Sequence, residues 1–168
     1  MAAPGMSASA ELSACGRYRY ALERSWAAEL GTAPRIALFV LLNPSTADAA
    51  ADDPTLRRCV AFARAWGCST VRIGNLYAFR ATDPRELAVA ADPVGPDTDA
   101  WLVRLAAGAD LVVAGWGAHA ARDPGRAAEV MALLRAAHAE PASCLGRTQD
   151  GHPRHPLYVA GGTVLEPL

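Results

Sequence analysis

The chain has 168 residues, 52% of them hydrophobic and 20% charged, with a formal net charge of -1. That length suits one domain with a substantial core, and the near-neutral balance removes any global electrostatic case for nucleic acid, leaving room only for a local basic face. No stretch approaches the roughly 20 apolar residues of a membrane-spanning helix, so no membrane association is expected.

Residues 1–12 are small and polar, without a basic start or a continuous apolar run. They read as a frayed tail rather than a signal peptide, which leaves residues 13–168 as a single domain, expected to be cytoplasmic and monomeric. Every lysine-or-arginine position is arginine, a pattern that generic surface charge explains without a phosphate site. The cysteines Cys15, Cys59, Cys68 and Cys144 form no C-x-x-C pair. Reduced thiols packed as small hydrophobes are expected, with no structural metal.

Tyr18, Tyr20 and Leu22 alternate with Arg17, Arg19 and Ala21, which predicts a half-buried strand within residues 17–26. Gly31 and Pro34 mark a turn, and the continuous apolar run 36–42 suits a central parallel strand covered on both faces. Pro44 ends it by removing a donor and biasing Asn43 away from helix. A helix follows over 53–67, with Asp53 as cap, Pro54 in the first turn and Gly67 as stop. Strands are expected at 71–77 and 110–116, helices at 97–107 and 127–139, a short strand at 143–145, and a last apolar segment at 157–160 after a histidine- and proline-rich loop. Strand and helix alternate. The order predicts an α/β fold, a three-layer α/β/α sandwich with a mostly parallel central sheet. Ligands of such sheets bind beyond the carboxyl ends of the strands, where the segments 43–53, 75–83 and 115–123 should converge.

Four constellations carry chemistry. In Asn43-Pro44-Ser45-Thr46-Ala47-Asp48 the asparagine offers both a donor and an acceptor, and Ser45 and Thr46 suit a phosphate or a turn. The plain alternative is that Asn-Pro is simply a good turn. In Asp52-Asp53-Pro54-Thr55 one aspartate suffices as a cap, freeing the other for a water or a metal. Asn75-Leu76-Tyr77-Ala78-Phe79-Arg80 joins a strand-end amide to alternating aromatics, able to read and stack a planar base, or simply to pack in the core. His152-Pro153-Arg154-His155-Pro156 lacks a third ligand for zinc, and a neutral histidine there suits a developing anion. His119 and His138 read as ordinary helix or loop residues. No G-x-G-x-x-G, P-loop or G-x-S-x-G is present, so no nucleotide cofactor is expected.

Taken in order, these segments resemble the uracil-DNA glycosylase superfamily. Leu41-Leu42-Asn43-Pro44-Ser45 is similar to its G-Q-D-P-Y or G-I-N-P-G motif, and Ile73-Gly74-Asn75-Leu76-Tyr77 to its base-reading strand. Val112-Val113-Ala114-Gly115-Trp116-Gly117 is similar to its W-G strand, and His155-Pro156-Leu157 to its H-P-S-P loop. A closer resemblance, at L-N-P-S-T-A-D, D-D-P-T-x-R-R-C, N-L-x-A-x-R, W-G and H-P-L-Y, is to short bacterial proteins of unknown function.

The superfamily resemblance implies cleavage of an N-glycosidic bond to a damaged or deaminated base, with DNA, single-stranded or lesion-containing, as partner. Asn43 would position the attacking water, Asn75 would read the base edge, and His155 would stabilise the departing oxygen. Pro44, Ser45, Thr46, Tyr77, Asp48, Asp53 and Arg80 would complete substrate binding. Where the superfamily has glycine this chain has Leu41, and Ser45 replaces the residue after proline. Trp66, Tyr77 and Phe79 are the candidates for the stacking aromatic. Two other readings stand beside it: a non-catalytic nucleic-acid or nucleotide binder on the same fold, and an N-glycosidase of free nucleosides or nucleotides.

Overall fold

In the apolar run at 36–42, alternate side chains serve opposite faces of a sheet. In the computed structural model, which describes residues 5–45 and 50–168, this run is strand β3 (Ile36–Leu41). Leu38 and Val40 join one core cluster, while Ala37, Phe39 and Leu41 join another. Such two-sided burial needs helices on both sides. Helix α1 (Pro54–Ala65) covers the Phe39 side through Leu56, Cys59 and Phe62. Helices α2 (Thr98–Ala107) and α3 (Pro124–Ala137) cover the Leu38 side through Leu102, Leu105, Val130 and Leu134. Burying a side chain the size of Phe39, fully inaccessible here, contributes roughly 1.5–3 kcal/mol.

The remaining strands are β1 (Ser7–Leu12), β2 (Arg19–Ser25), β4 (Thr70–Asn75), β5 (Leu111–Ala114), β6 (Ser143–Cys144) and β7 (Glu166–Pro167). They form one seven-stranded sheet of order β1-β2-β4-β3-β5-β6-β7. Its centre, β4-β3-β5-β6, is parallel, and its β1-β2-β4 and β6-β7 pairs are antiparallel. The sheet is therefore mixed rather than mostly parallel. A short connection between β1 and β2 permits only antiparallel pairing, and that hairpin docks on β4 in the same sense.

Two further expectations change, and one segment whose type was open takes a form. Residues 7–12 are an edge strand and not a tail, because β2 supplies a continuous pairing partner from Ser7↔Ser25 to Leu12↔Arg19. Strand β2 is not half-buried: the residues between its apolar positions, Arg19 among them, are covered as well, and Arg24 is fully buried. The last apolar segment starts as a short 3-10 helix, Pro156–Tyr158, because proline at its first position cannot donate to a sheet ladder.

The helix signals hold locally. Asp53 caps α1 by accepting from Leu56 N at 2.7 Å. Gly67, at φ +71°, turns the chain out of it. Asp123 caps α3 by accepting from Arg126 N at 3.1 Å. Among the described residues no helix is long and apolar enough to cross a membrane.

Candidate functional site

Within the parallel core, β4 and β5 flank β3 on either side. The crossover from β3 to β4 carries α1 on one face and that from β4 to β5 carries α2 on the other, which opens a crevice at the carboxyl ends of these strands. A cavity of about 520 Å³ lies there, within the range typical of small-molecule sites. Strand β3 contributes Leu41 and the following Leu42 and Asn43, β4 contributes Ile73 and Asn75, and the segment after β5 contributes Trp116 and Gly117. The first turn of α1 supplies Asp53, Thr55 and Leu56 on one side, and a C-terminal loop supplies His155 and Tyr158. All three strand-end segments expected to converge do so.

Asn43 is held by its amide nitrogen, which donates to the carbonyls of Pro44 at 3.0 Å and Ala81 at 2.8 Å. Both partners are acceptors, so the nitrogen must face them and the orientation of the amide is fixed. Among the described residues its Oδ1 has no hydrogen-bond partner, so an acceptor is what Asn43 offers the cavity. The loops after β3 and β4 are zipped further by Leu76 N to Leu41 O, Tyr77 N to Leu42 O and Ala81 N to Pro44 O.

Asn75 is different. The β3–β4 register places it opposite Leu41, and its side chain is 3% exposed. Neither its Nδ2 nor its Oδ1 has a protein partner among the described residues. Buried unpaired polar atoms cost about 1–3 kcal/mol each, so a protein retains them where a partner is to come from outside. The indole Nε1 of Trp116, also buried on this wall, is likewise unpartnered.

His155 reaches the cavity through a close backbone approach. Gly115 and Gly117 let the C-terminal loop sit on the end of β5: a Cβ on Gly115 would lie 2.9 Å from Pro156 Cδ, and one on Gly117 3.2 Å from His155 Cβ. Gly117 N donates to Pro153 O at 2.9 Å. The His155 Nδ1 accepts from Leu157 N at 3.3 Å, so the neutral ring carries its proton on Nε2. Burial pushes the His155 pKa below its ordinary value, Asp53 opposes that shift, and His119 adds to it. The imidazole is thereby kept as a neutral donor.

The two aspartates divide their work. Asp52 accepts from Arg24 Nε at 2.9 Å and Nη2 at 2.7 Å, an ion pair sealed on the arginine side. Asp53 caps α1 with one oxygen and accepts from Ser45 Oγ at 2.5 Å with the other. It is the one carboxylate on the cavity wall among the described residues.

Of the candidates read from the sequence, Asn43, Ser45, Asp53, Asn75 and His155 meet at this cavity. Pro44 stands behind it and acts through its carbonyl. Tyr77 is not on the cavity wall: it packs in the cluster under α2 and α3, and its hydroxyl donates to Asp123 at 2.9 Å. Arg80 lines a separate, adjoining cleft. Thr46 and Asp48 lie outside the described residues. None of Trp66, Tyr77 and Phe79 lines the cavity; Trp66 stacks between Phe39 and Phe62 instead. The aromatic side chains present are Trp116 and Tyr158.

Arg19, His119 and Arg154, assigned no site role from the sequence, also lie on the cavity wall. The available signs are that His119 comes two residues after Gly117 of the W-G motif and that Arg154 sits inside the His-Pro-Arg-His-Pro run. Among the described residues no group of three or more His, Cys, Asp or Glu side chains is placed to hold a metal ion.

Residues 19–157 match the model of a family described as Protein of unknown function (DUF1643). The chain belongs to the DUF1643 family. No curated protein and no solved structure matches it. The DUF1643 match takes in Arg19, Asn43, Asp53, Asn75, Trp116 and His155, and ends just before Tyr158.

Proposed function

We propose that this DUF1643 protein is an N-glycosidic bond hydrolase of the uracil-DNA glycosylase type, removing a damaged or deaminated base from DNA. The observation that carries the reading is the Asn75 amide, buried on the cavity wall with donor and acceptor both unpartnered. A nucleobase edge presents an adjacent donor and acceptor, which one amide can satisfy together. The helices on both faces of the sheet and the order of the motifs along it agree with a glycosylase-like sandwich.

The other groups suit the reaction. As the C1′–N bond breaks, the base departs with the electron pair and the sugar becomes oxocarbenium-like. The Asp53 carboxylate stabilises that cation, and the neutral His155 donates from Nε2 to the oxygen of the departing base. Asn43 accepts a hydrogen bond from the attacking water and orients it without taking its proton. The water oxygen bonds to C1′, and the proton it gives up ends on the released base.

A second reading, hydrolysis of free nucleosides or nucleotides, is favoured by one feature, the net charge of -1 with no basic excess. A base-release assay on oligonucleotides containing uracil, hypoxanthine or xanthine, run beside the free nucleosides, separates the two. Release from the strand that falls by about a hundredfold in His155→Ala supports the first reading. Release from nucleosides alone supports the second, and release from neither overturns both.

A further inference from the structure

The Asn-Leu-Tyr-Ala-Phe-Arg segment contributes Asn75 to the cavity but leaves Phe79 and Arg80 without a role there. Both line a second cleft of about 310 Å³, together with Gly16 and Arg17 from the β1–β2 connection. Ser45, Ala81 and Thr82 line both spaces, so the cleft runs directly out of the main cavity.

Its walls are braced. The backbones join through Arg80 N to Arg17 O at 2.9 Å, Arg19 N to Ala78 O at 2.9 Å and the Tyr18↔Phe79 bridge. Arg80 Nη1 donates to Gly16 O at 3.3 Å, and the Phe79 ring meets Tyr18 edge-on. No acidic side chain lines the cleft, and among the described residues neither arginine pairs with a carboxylate; the Arg17 guanidinium has the exposed Cys15 thiol as its side-chain neighbour. Two such cations beside a half-buried ring match a phosphate followed by a base. Stacking plus backbone charge is how single strands are held without reading their sequence.

We propose that the groove walled by Arg17, Phe79 and Arg80 is a flanking-nucleotide subsite, which holds the phosphate and neighbouring base of a single strand whose target nucleotide occupies the main cavity. The inference rests on the nucleobase reading of that cavity. It makes a polynucleotide, rather than a free nucleoside, the preferred ligand of the site. The chain's small net charge is no obstacle, because the positive groups are local to the groove.

The test is fluorescence anisotropy of a short labelled oligothymidylate carrying one central deoxyuridine, and of the same strand with an abasic analogue at that position. Wild type should bind both strands more tightly than free deoxyuridine. The Arg17→Gln/Arg80→Gln variant should weaken both by at least about tenfold, and its log K against log salt slope should fall by about 1.4, two phosphates' worth for a single strand. Phe79→Ala should weaken binding about tenfold with the slope unchanged. Arginine variants that bind like wild type, or strands that bind no better than the nucleoside, would overturn the subsite.

Failure of the base reading has its own signature: the two strands bind alike and Asn75→Ala alters neither, while the arginine dependence persists. That result would uphold the groove as a strand-binding surface and remove the cavity as a base site.

Discussion

Gly117 and His155 are in backbone-level contact, with 3.2 Å between the His155 Cβ and the position a Cβ on Gly117 would take. Gly117 also sits at φ 75° and ψ -176°, a conformation essentially restricted to glycine. Gly117→Ala is therefore expected to cost about 1–3 kcal/mol of stability and to displace His155 from the cavity. Urea denaturation measures the first effect. The second shows as a fall in base release larger than the loss of folded protein explains.

Asn75→Ala has the opposite profile. Removing an amide that has no partner gives up no protein hydrogen bond, so stability should stay within about 1 kcal/mol of wild type or rise. Nucleobase binding should disappear. A stability loss above about 2 kcal/mol in the same denaturation experiment would mean that the amide is satisfied in the resting protein.

Tyr77→Phe removes the hydrogen bond to Asp123, the residue that also caps α3. The expected cost is about 0.5–1.5 kcal/mol in unfolding free energy, with base binding unchanged, since Tyr77 is not on the cavity wall and its hydroxyl bonds the α3 cap. A calorimetric titration of the variant checks the second half.

Asp52→Ala should be far more damaging than its exposure suggests. It takes the carboxylate from a guanidinium that is fully buried, an effect of about 3–5 kcal/mol. Replacing both partners with apolar residues, as in Arg24→Met with Asp52→Leu, should recover much of that loss, and comparing their thermal midpoints decides it.

The pH dependence follows from His155. Its folded pKa is depressed below the ordinary 6.5, with Asp53 and His119 as the charged neighbours. The unfolded chain therefore takes up a proton first as pH falls. The stability contributed by neutral His155 is complete above the unfolded value, and it is lost as pH falls from there through the folded one. The difference in urea midpoint between wild type and His155→Gln should be flat at higher pH and shrink in that acidic window.

These effects map onto what was legible in the chain. Asn43, Asp53 and Asn75 could be read because strand ends, proline and helix caps leave local marks, and the parallel core brings strand ends together by topology. Tyr77 misled because period-two alternation stops where β4 ends at Asn75; beyond that point Leu76 and Tyr77 both enter the α2–α3 cluster. Arg19 alternates with apolar residues and so reads as solvent-facing, although it is buried; Arg24 shares the register of Tyr20 and Leu22, and its burial depends on Asp52, 28 residues away, which local pattern does not reveal. Strand β1 has almost no hydrophobic signature and exists because β2 offers it an edge. Trp116 was legible as part of a motif, but its place on the wall depends on how the loop bearing His155 folds back.

The most direct test of the Asn75 site is ligand-induced stabilisation by free uracil, hypoxanthine and xanthine, measured on wild type and Asn75→Ala side by side. At a hundredfold excess over Kd, a bound base should stabilise wild type by about 2.7 kcal/mol and leave the equally folded variant unmoved. No stabilisation of wild type by any base, or the same stabilisation of both proteins, would contradict the account.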